Sequence, residues 1–185
     1  IYDCRDHGCG CGFAYEYQPG EAMGRPWPTP LIQITATSED QTANIYSALR
    51  PMIDDGPLSV LIPKTGEDFI RLPGNGRIDP VTSNARSRLG QRVTFVVWDE
   101  SGLYLVSNKM REVAETQRRG LAGMGGRGIE TTNAWDPTQD SVAQRTAEAA
   151  AKTGDIYRLH PLPPAGLSYK NKAERRKIHR HVYRG

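Results

Sequence analysis

With 185 residues, 37% of them hydrophobic, and 19 Gly and 13 Pro, the chain is long enough for one domain with tails but rich in loop-forming residues. A net charge of +3 carries little information about partners, no stretch is apolar enough to span a membrane, and no secretory signal is visible. Three cysteines, all within the first eleven residues, exclude a disulfide framework and leave a reducing cytosol as the default compartment.

The chain starts at Ile1 rather than Met, which points to a truncated or partial reading frame. Residues 1–21 read as an irregular N-terminal segment. Within it Cys4, His7, Cys9 and Cys11 are soft ligands, but they are crowded together, whereas zinc knuckles separate two ligand pairs. The crowding favours an irregular or foreign end over a metal site. Residues 25–30, with three prolines, exclude helix and central strand.

Leu31–Thr37 is apolar and β-branched and predicts a strand. Ser38, with Gln41 at the third helical position, predicts a capping box opening a helix. Ile45, Leu49, Met52 and Ile53 continue it at helical spacing, and Asp54–Pro57 stops it. Phe69–Leu72 and Arg77–Val81 flank a Gly74–Gly76 turn, which predicts a hairpin. Arg92–Asp99 predicts a buried strand, and Lys109–Leu121 a helix with Met110, Val113, Ala114 and Leu121 as its apolar positions. After a glycine-rich loop at Gly123–Gly128, Ile129–Asn133 predicts a strand. Asp140 or Ser141 caps an Ala-rich helix reaching Lys152, and Asp155–Leu159 predicts a last strand. Strands alternating with helices predict an α/β layered sheet, mostly parallel.

The candidate chemistry lies at strand ends. Asp99 and Glu100 close an apolar run abruptly. Such a pair fits a strand that delivers acids to a nucleotide site, one holding the Mg²⁺ water shell and the next polarising the attacking water. It equally fits a core strand stopping at a solvated turn. Thr131, Thr132 and Asn133 end a strand of the same predicted sheet, where small polar groups can meet a phosphate or its attacking water. Gly123–Gly128 satisfies G-x-G-x-x-G but follows a helix and precedes a strand, the reverse of the dinucleotide fingerprint, so it reads as a tight connection. Arg86 and Arg88 carry guanidinium groups suited to phosphate, and one of them is a candidate for a neighbouring subunit's nucleotide. No G-x-x-x-x-G-K-[ST] occurs, so nothing in the sequence cradles β- and γ-phosphates by backbone N–H groups. Residues 170–181 are strongly basic, with Lys170, Lys172, Arg175, Arg176 and Lys177 as DNA-binding candidates.

The ordered set Trp27–Pro30, Ile32–Ile34, Ala36–Gln41, Asn44, Pro80–Ser83, Ser87–Gly90, Val96–Glu100, Gly123–Gly126 and Glu130–Pro137 resembles the large terminase subunit of tailed bacteriophages. The likeness runs over roughly residues 22–181 and is nearest the branch found in phages and prophages of actinobacteria. It implies a P-loop NTPase-like layered sheet lacking its phosphate-loop segment. A partial ATPase domain would occupy 22–160, and a basic segment, 161–185, would lead towards a nuclease domain. In such a motor Asp99 is the magnesium residue (through water), Glu100 the catalytic base, and Thr131–Asn133 the coupling motif; ATP and Mg²⁺ are the cofactors. The implied partners are double-stranded DNA, a terminase small subunit, a portal protein and further copies in a ring. The implied location is the cytoplasm of a bacterial host, and this segment alone is expected to hydrolyse little ATP. Two alternatives remain from the residues: a helicase-like nucleic-acid-dependent ATPase, and a non-enzymatic prophage remnant that touches DNA through its basic tail.

Overall fold

The computed structural model describes residues 2–3, 16–17, 29–62, 64–66, 69–83 and 91–183. The chain divides into two compact units, Ile1–Ala143 and Gln144–Gly185. In the first, β1 (Tyr2–Asp3) pairs antiparallel with β2 (Glu16–Tyr17). Among the described residues the main sheet has six strands: β3 (Leu31–Thr35), β4 (Lys64–Thr65), β5 (Ile70–Leu72), β6 (Gly76–Val81), β7 (Phe95–Asp99) and β8 (Arg127–Thr131), in the order β4-β5-β6-β3-β7-β8. Strands β6, β3, β7 and β8 run parallel; at one edge β5 pairs antiparallel with β6, and β4 antiparallel with β5. The expected α/β, mostly parallel sheet is therefore present.

Helix α1 (Glu39–Asp54) starts as the capping residues predict: Ser38 Oγ accepts the Gln41 N–H at 3.3 Å. The Gln41 side chain reaches back one residue further than a capping box requires, to the Thr37 N–H at 3.1 Å. Its apolar stripe packs Tyr46 and Ile53 against Ile34, Ile70 and Ile78, and Tyr46 Oη donates to Ile78 O at 2.9 Å. The opposite face of the sheet carries Leu31, Val93, Val96, Trp98 and Tyr104, covered by Met110, Ala114 and Leu121 of α2 (Met110–Met124) and by Val142 of α3 (Val142–Ala150). The hairpin turn forms where predicted, with Gly74 and Asn75 at φ 67° and 60°.

The glycine-rich connection is tighter than a six-residue loop. Helix α2 runs to Met124, Gly125 caps it at φ 63°, and β8 begins at Arg127. The predicted strand over Asp155–Leu159 does not form. Tyr157 is 88% and Leu159 66% exposed, and among the described residues no strand pairs with this stretch. The stretch lacks strict alternation, with Ile156 and Tyr157 apolar side by side, and the prolines that follow cannot donate to a ladder. In the second unit, the basic segment forms α4 (Lys172–Tyr183), with Ile178 its buried position. Among the described residues no helix is long and apolar enough to cross a membrane.

Candidate functional site at the carboxyl edge of the sheet

Because β3, β6, β7 and β8 are parallel, their carboxyl ends share one edge, where ligands of open α/β sheets collect. Alternation along β7 turns Val96 and Trp98 onto the α2 side and leaves Asp99 on the other. In the β7–β8 ladder Asp99 stands opposite Thr131, and Thr131 Oγ1 donates to Asp99 Oδ1 at 2.8 Å. Glu100 follows in the left-handed region at φ 55°, a conformation costing a non-glycine residue about 1–2 kcal/mol. That turn sends the chain into a 3-10 turn, Ser101–Leu103, and presents the Glu100 carboxylate to Asn133. Asn133 Nδ2 donates to Glu100 Oε1 at 2.7 Å, and the Asn133 backbone N–H to Oε2 at 3.3 Å. Thr132 Oγ1 accepts the Gly102 N–H at 3.0 Å. Thr131 at the end of β8 and the two residues after it thus meet the segment 99–102 one by one.

Beneath this edge lies a buried polar layer. Trp98 Nε1 donates to Gln117 Oε1, and Gln117 Nε2 donates to Gln33 Oε1 and Thr35 Oγ1, each at 2.7 Å. Gln33 Nε2 continues to Gln91 Oε1 at 3.0 Å. The Tyr104 hydroxyl donates to the Thr35 carbonyl. Burial, and then the negative charge of Asp99, pushes the Tyr104 ionisation far above the usual tyrosine range; a hydrogen bond from the Asp99 backbone opposes this, and the phenol stays neutral. Arg118 stacks over the Trp98 ring, 5.5 Å from its centroid, and pairs with Glu130. The second Glu130 oxygen accepts Ser101 Oγ at 3.0 Å.

The structure therefore brings Asp99, Glu100, Thr131, Thr132 and Asn133 together. Strand β8 ends at Thr131, so Thr132 and Asn133 belong to the following loop. Lys170 and the α4 cations Lys172, Arg175, Arg176 and Lys177 are exposed in the second unit. Arg86, Arg88 and the group Cys4, His7, Cys9 and Cys11 lie outside the described residues. Tyr104, Gln117, Arg118, Ser101 and Glu130 were missed as supports. Two signals pointed to them: a buried indole needs a hydrogen-bond acceptor, and Gln117 occupies the apolar stripe of α2. As to a metal, Asp99 and Thr131 offer only hard oxygen donors, which suit Mg²⁺, an ion that keeps several waters and takes one or two carboxylates.

No protein-family profile matches the chain. It is 30% identical over 146 residues to the gene 13 protein of Mycobacterium phage D29 and 29% identical over 146 residues to that of Mycobacterium phage L5. Each match covers 73% of this chain and 24% of the phage protein. The crystal structure of the HK97 bacteriophage large terminase superposes on 83% of the chain and 32% of the terminase, with a TM-score of 0.64 and 18% identity. The chain has the fold of a phage large terminase. It spans about a quarter of the length of the curated relatives it matches. Within the terminase fold the acidic pair closes β7, one strand in from the free edge at β8, which no strand covers among the described residues. On the Asp99 side Arg127, Ile129 and Thr131 are exposed, Ile129 at 52%.

Proposed function

We propose that the chain supplies the magnesium- and water-positioning edge of the ATPase in a phage DNA-packaging motor. The reading rests on one observation: Asp99 and Glu100 meet Thr131, Thr132 and Asn133 at the carboxyl edge of a parallel sheet with a terminase fold. In this role Asp99 holds Mg²⁺ through water, and Glu100 accepts a proton from the water attacking the γ-phosphate. The ion, when bound, neutralises charge on the triphosphate. Asn133 occupies both carboxylate oxygens of Glu100, so movement of the 131–133 segment alters what Glu100 can accept. That gives the coupling motif a physical handle. Arg86 or Arg88 is the arginine offered to a neighbouring subunit, and the partners are duplex DNA, a small subunit, a portal protein and further copies in a ring.

A phosphate-binding strand, loop and helix must reach the flank of β8, which no strand covers among the described residues, before a triphosphate can be cradled there. The test is a swap. The 185-residue chain is expected to show no ATP turnover above background, since it carries no Gly-Lys-[Ser/Thr] loop. The phage D29 gene 13 protein, with its matched 146 residues replaced by those of this chain, is expected to hydrolyse ATP in a Mg²⁺-dependent manner. An inactive chimera beside an active parent protein would refute the reading.

The α4 cations are proposed to touch the DNA backbone. The helix has one acid in its first turn, Glu174, and its carboxylate is engaged by the Ser168 N–H at 2.7 Å, leaving Arg175, Arg176 and Lys177 exposed. Neutralising these three should flatten the slope of log K against log salt for a mixed-sequence duplex by about 2–3, near 0.9 per lost phosphate contact. An unchanged slope, read by fluorescence anisotropy, removes α4 from the DNA interface.

A further inference from the structure

The buried polar groups under the acidic pair close into a ring. Trp98 bonds to Gln117, Gln117 bonds to the Thr35 hydroxyl, and the Thr35 carbonyl accepts the Tyr104 hydroxyl. The backbone running from Trp98 through Asp99 to Tyr104 closes the circuit covalently. Thr35, Trp98, Tyr104 and Gln117 are between 0% and 4% exposed, so water cannot replace a lost member. Apolar packing on this face is already supplied by Met110, Val113, Ala114 and Leu121. A glutamine and a phenol placed among them cost desolvation unless fully paired. What they add is direction, because hydrogen bonds weaken steeply with angle, whereas apolar contact is non-directional. The ring grips the strand at Trp98 and leaves the carboxylate of the next residue, Asp99, on the opposite face, beside Thr131.

We propose that Tyr104 and Gln117 are positioning residues for Asp99 and Glu100, fixing the end of β7 against β3 so that both carboxylates stand where a hydrated divalent cation and an attacking water need them. This rests on the nucleotide-site reading of the two acids. It assigns helix α2 the task of holding the acidic edge through one buried amide.

The test uses the ¹⁵N-labelled 185-residue chain titrated with Mn²⁺ alone, reading paramagnetic broadening of the Asp99, Glu100 and Thr131 amides together with their hydrogen exchange. Tyr104→Phe removes one hydroxyl and keeps the ring's volume. Gln117→Met approaches from the other side of the ring at matched volume, should the first variant fold poorly. Val113→Ala thins the α2 core without touching the ring. Broadening centred on the three amides in wild type is expected, with roughly fivefold more Mn²⁺ needed in Tyr104→Phe or Gln117→Met, the loss of one hydrogen bond. Asp99 amide exchange should accelerate by at least the same factor, and Val113→Ala should change neither. If wild type broadens and both ring variants match it, the positioning role is wrong while the nucleotide-site reading stands. Equal losses in Val113→Ala reduce the effect to general stability and overturn the proposal. No broadening at Asp99 or Glu100 in wild type overturns the nucleotide-site reading and the proposal together.

Discussion

Glu100→Gln in the D29 swap chimera is expected to lower ATP turnover about 100-fold or more, while the nucleotide concentration for half-saturation stays nearly constant. The substitution keeps the size of the side chain and removes its charge and basicity. It also disturbs the contact with Asn133. The carboxylate now accepts on both oxygens, from Asn133 Nδ2 at 2.7 Å and from the Asn133 backbone N–H at 3.3 Å. An amide offers one acceptor and one donor, so one of those two bonds becomes donor against donor. Glu100→Asp separates the two effects: it keeps the charge but withdraws it by one methylene from the loop 131–133. If charge alone matters, Glu100→Asp retains most turnover; if reach to water and to Asn133 matters, it falls nearly as far as Glu100→Gln. Equal turnover in wild type and Glu100→Gln would remove Glu100 from the chemistry. A rise in half-saturating ATP at constant turnover would place it in nucleotide binding instead.

Much of the sheet was legible because its signals are local. The run at Leu31–Thr35 pairs on both sides in parallel register, so nearly every side chain is buried, and its apolar and β-branched residues announce a strand despite Gln33. Ser38 and Gln41 announced α1 because caps are written in adjacent residues. Asp155–Leu159 shows the limit of the same reasoning. A short, partly apolar stretch becomes a strand only if it pairs, and pairing is decided by tertiary context rather than locally.

For the site, residue types and order were enough to bring Asp99 and Glu100 near Thr131–Asn133, since parallel strands share a carboxyl edge. The supports were harder to see. Gln117 lies 84 residues from Gln33, and Tyr104 lies 69 from Thr35, so neither pairing leaves a periodic trace. The left-handed turn at Glu100 is likewise invisible in a sequence that offers no glycine there. It becomes visible only when the 3-10 turn and the loop after β8 are seen to pull on the same residue.

Gly128→Ala is expected to destabilise the chain by about 3 kcal/mol or more, toward the upper end of overpacking penalties, as a lower urea midpoint at unchanged slope. A Cβ at Gly128 would lie 2.2 Å from Trp98 Cζ3 and 2.7 Å from its Cη2. The indole cannot swing clear, because Nε1 is bonded to Gln117 and Arg118 covers its face. The strand cannot move away either without opening the β7–β8 ladder from Phe95–Arg127 to Asp99–Thr131. Gly123→Ala, five residues earlier, has no atom within 4 Å of the new Cβ and lies within α2. There the same change should stabilise by roughly 0.5–1 kcal/mol through helix propensity alone. Opposite signs for one substitution at two neighbouring glycines isolate contact with Trp98 from any general effect of losing glycine. If Gly128→Ala stays within about 0.5 kcal/mol of wild type, a range typical of surface substitutions, Trp98 is free to move, and the buried ring that holds it is looser than its hydrogen bonds imply.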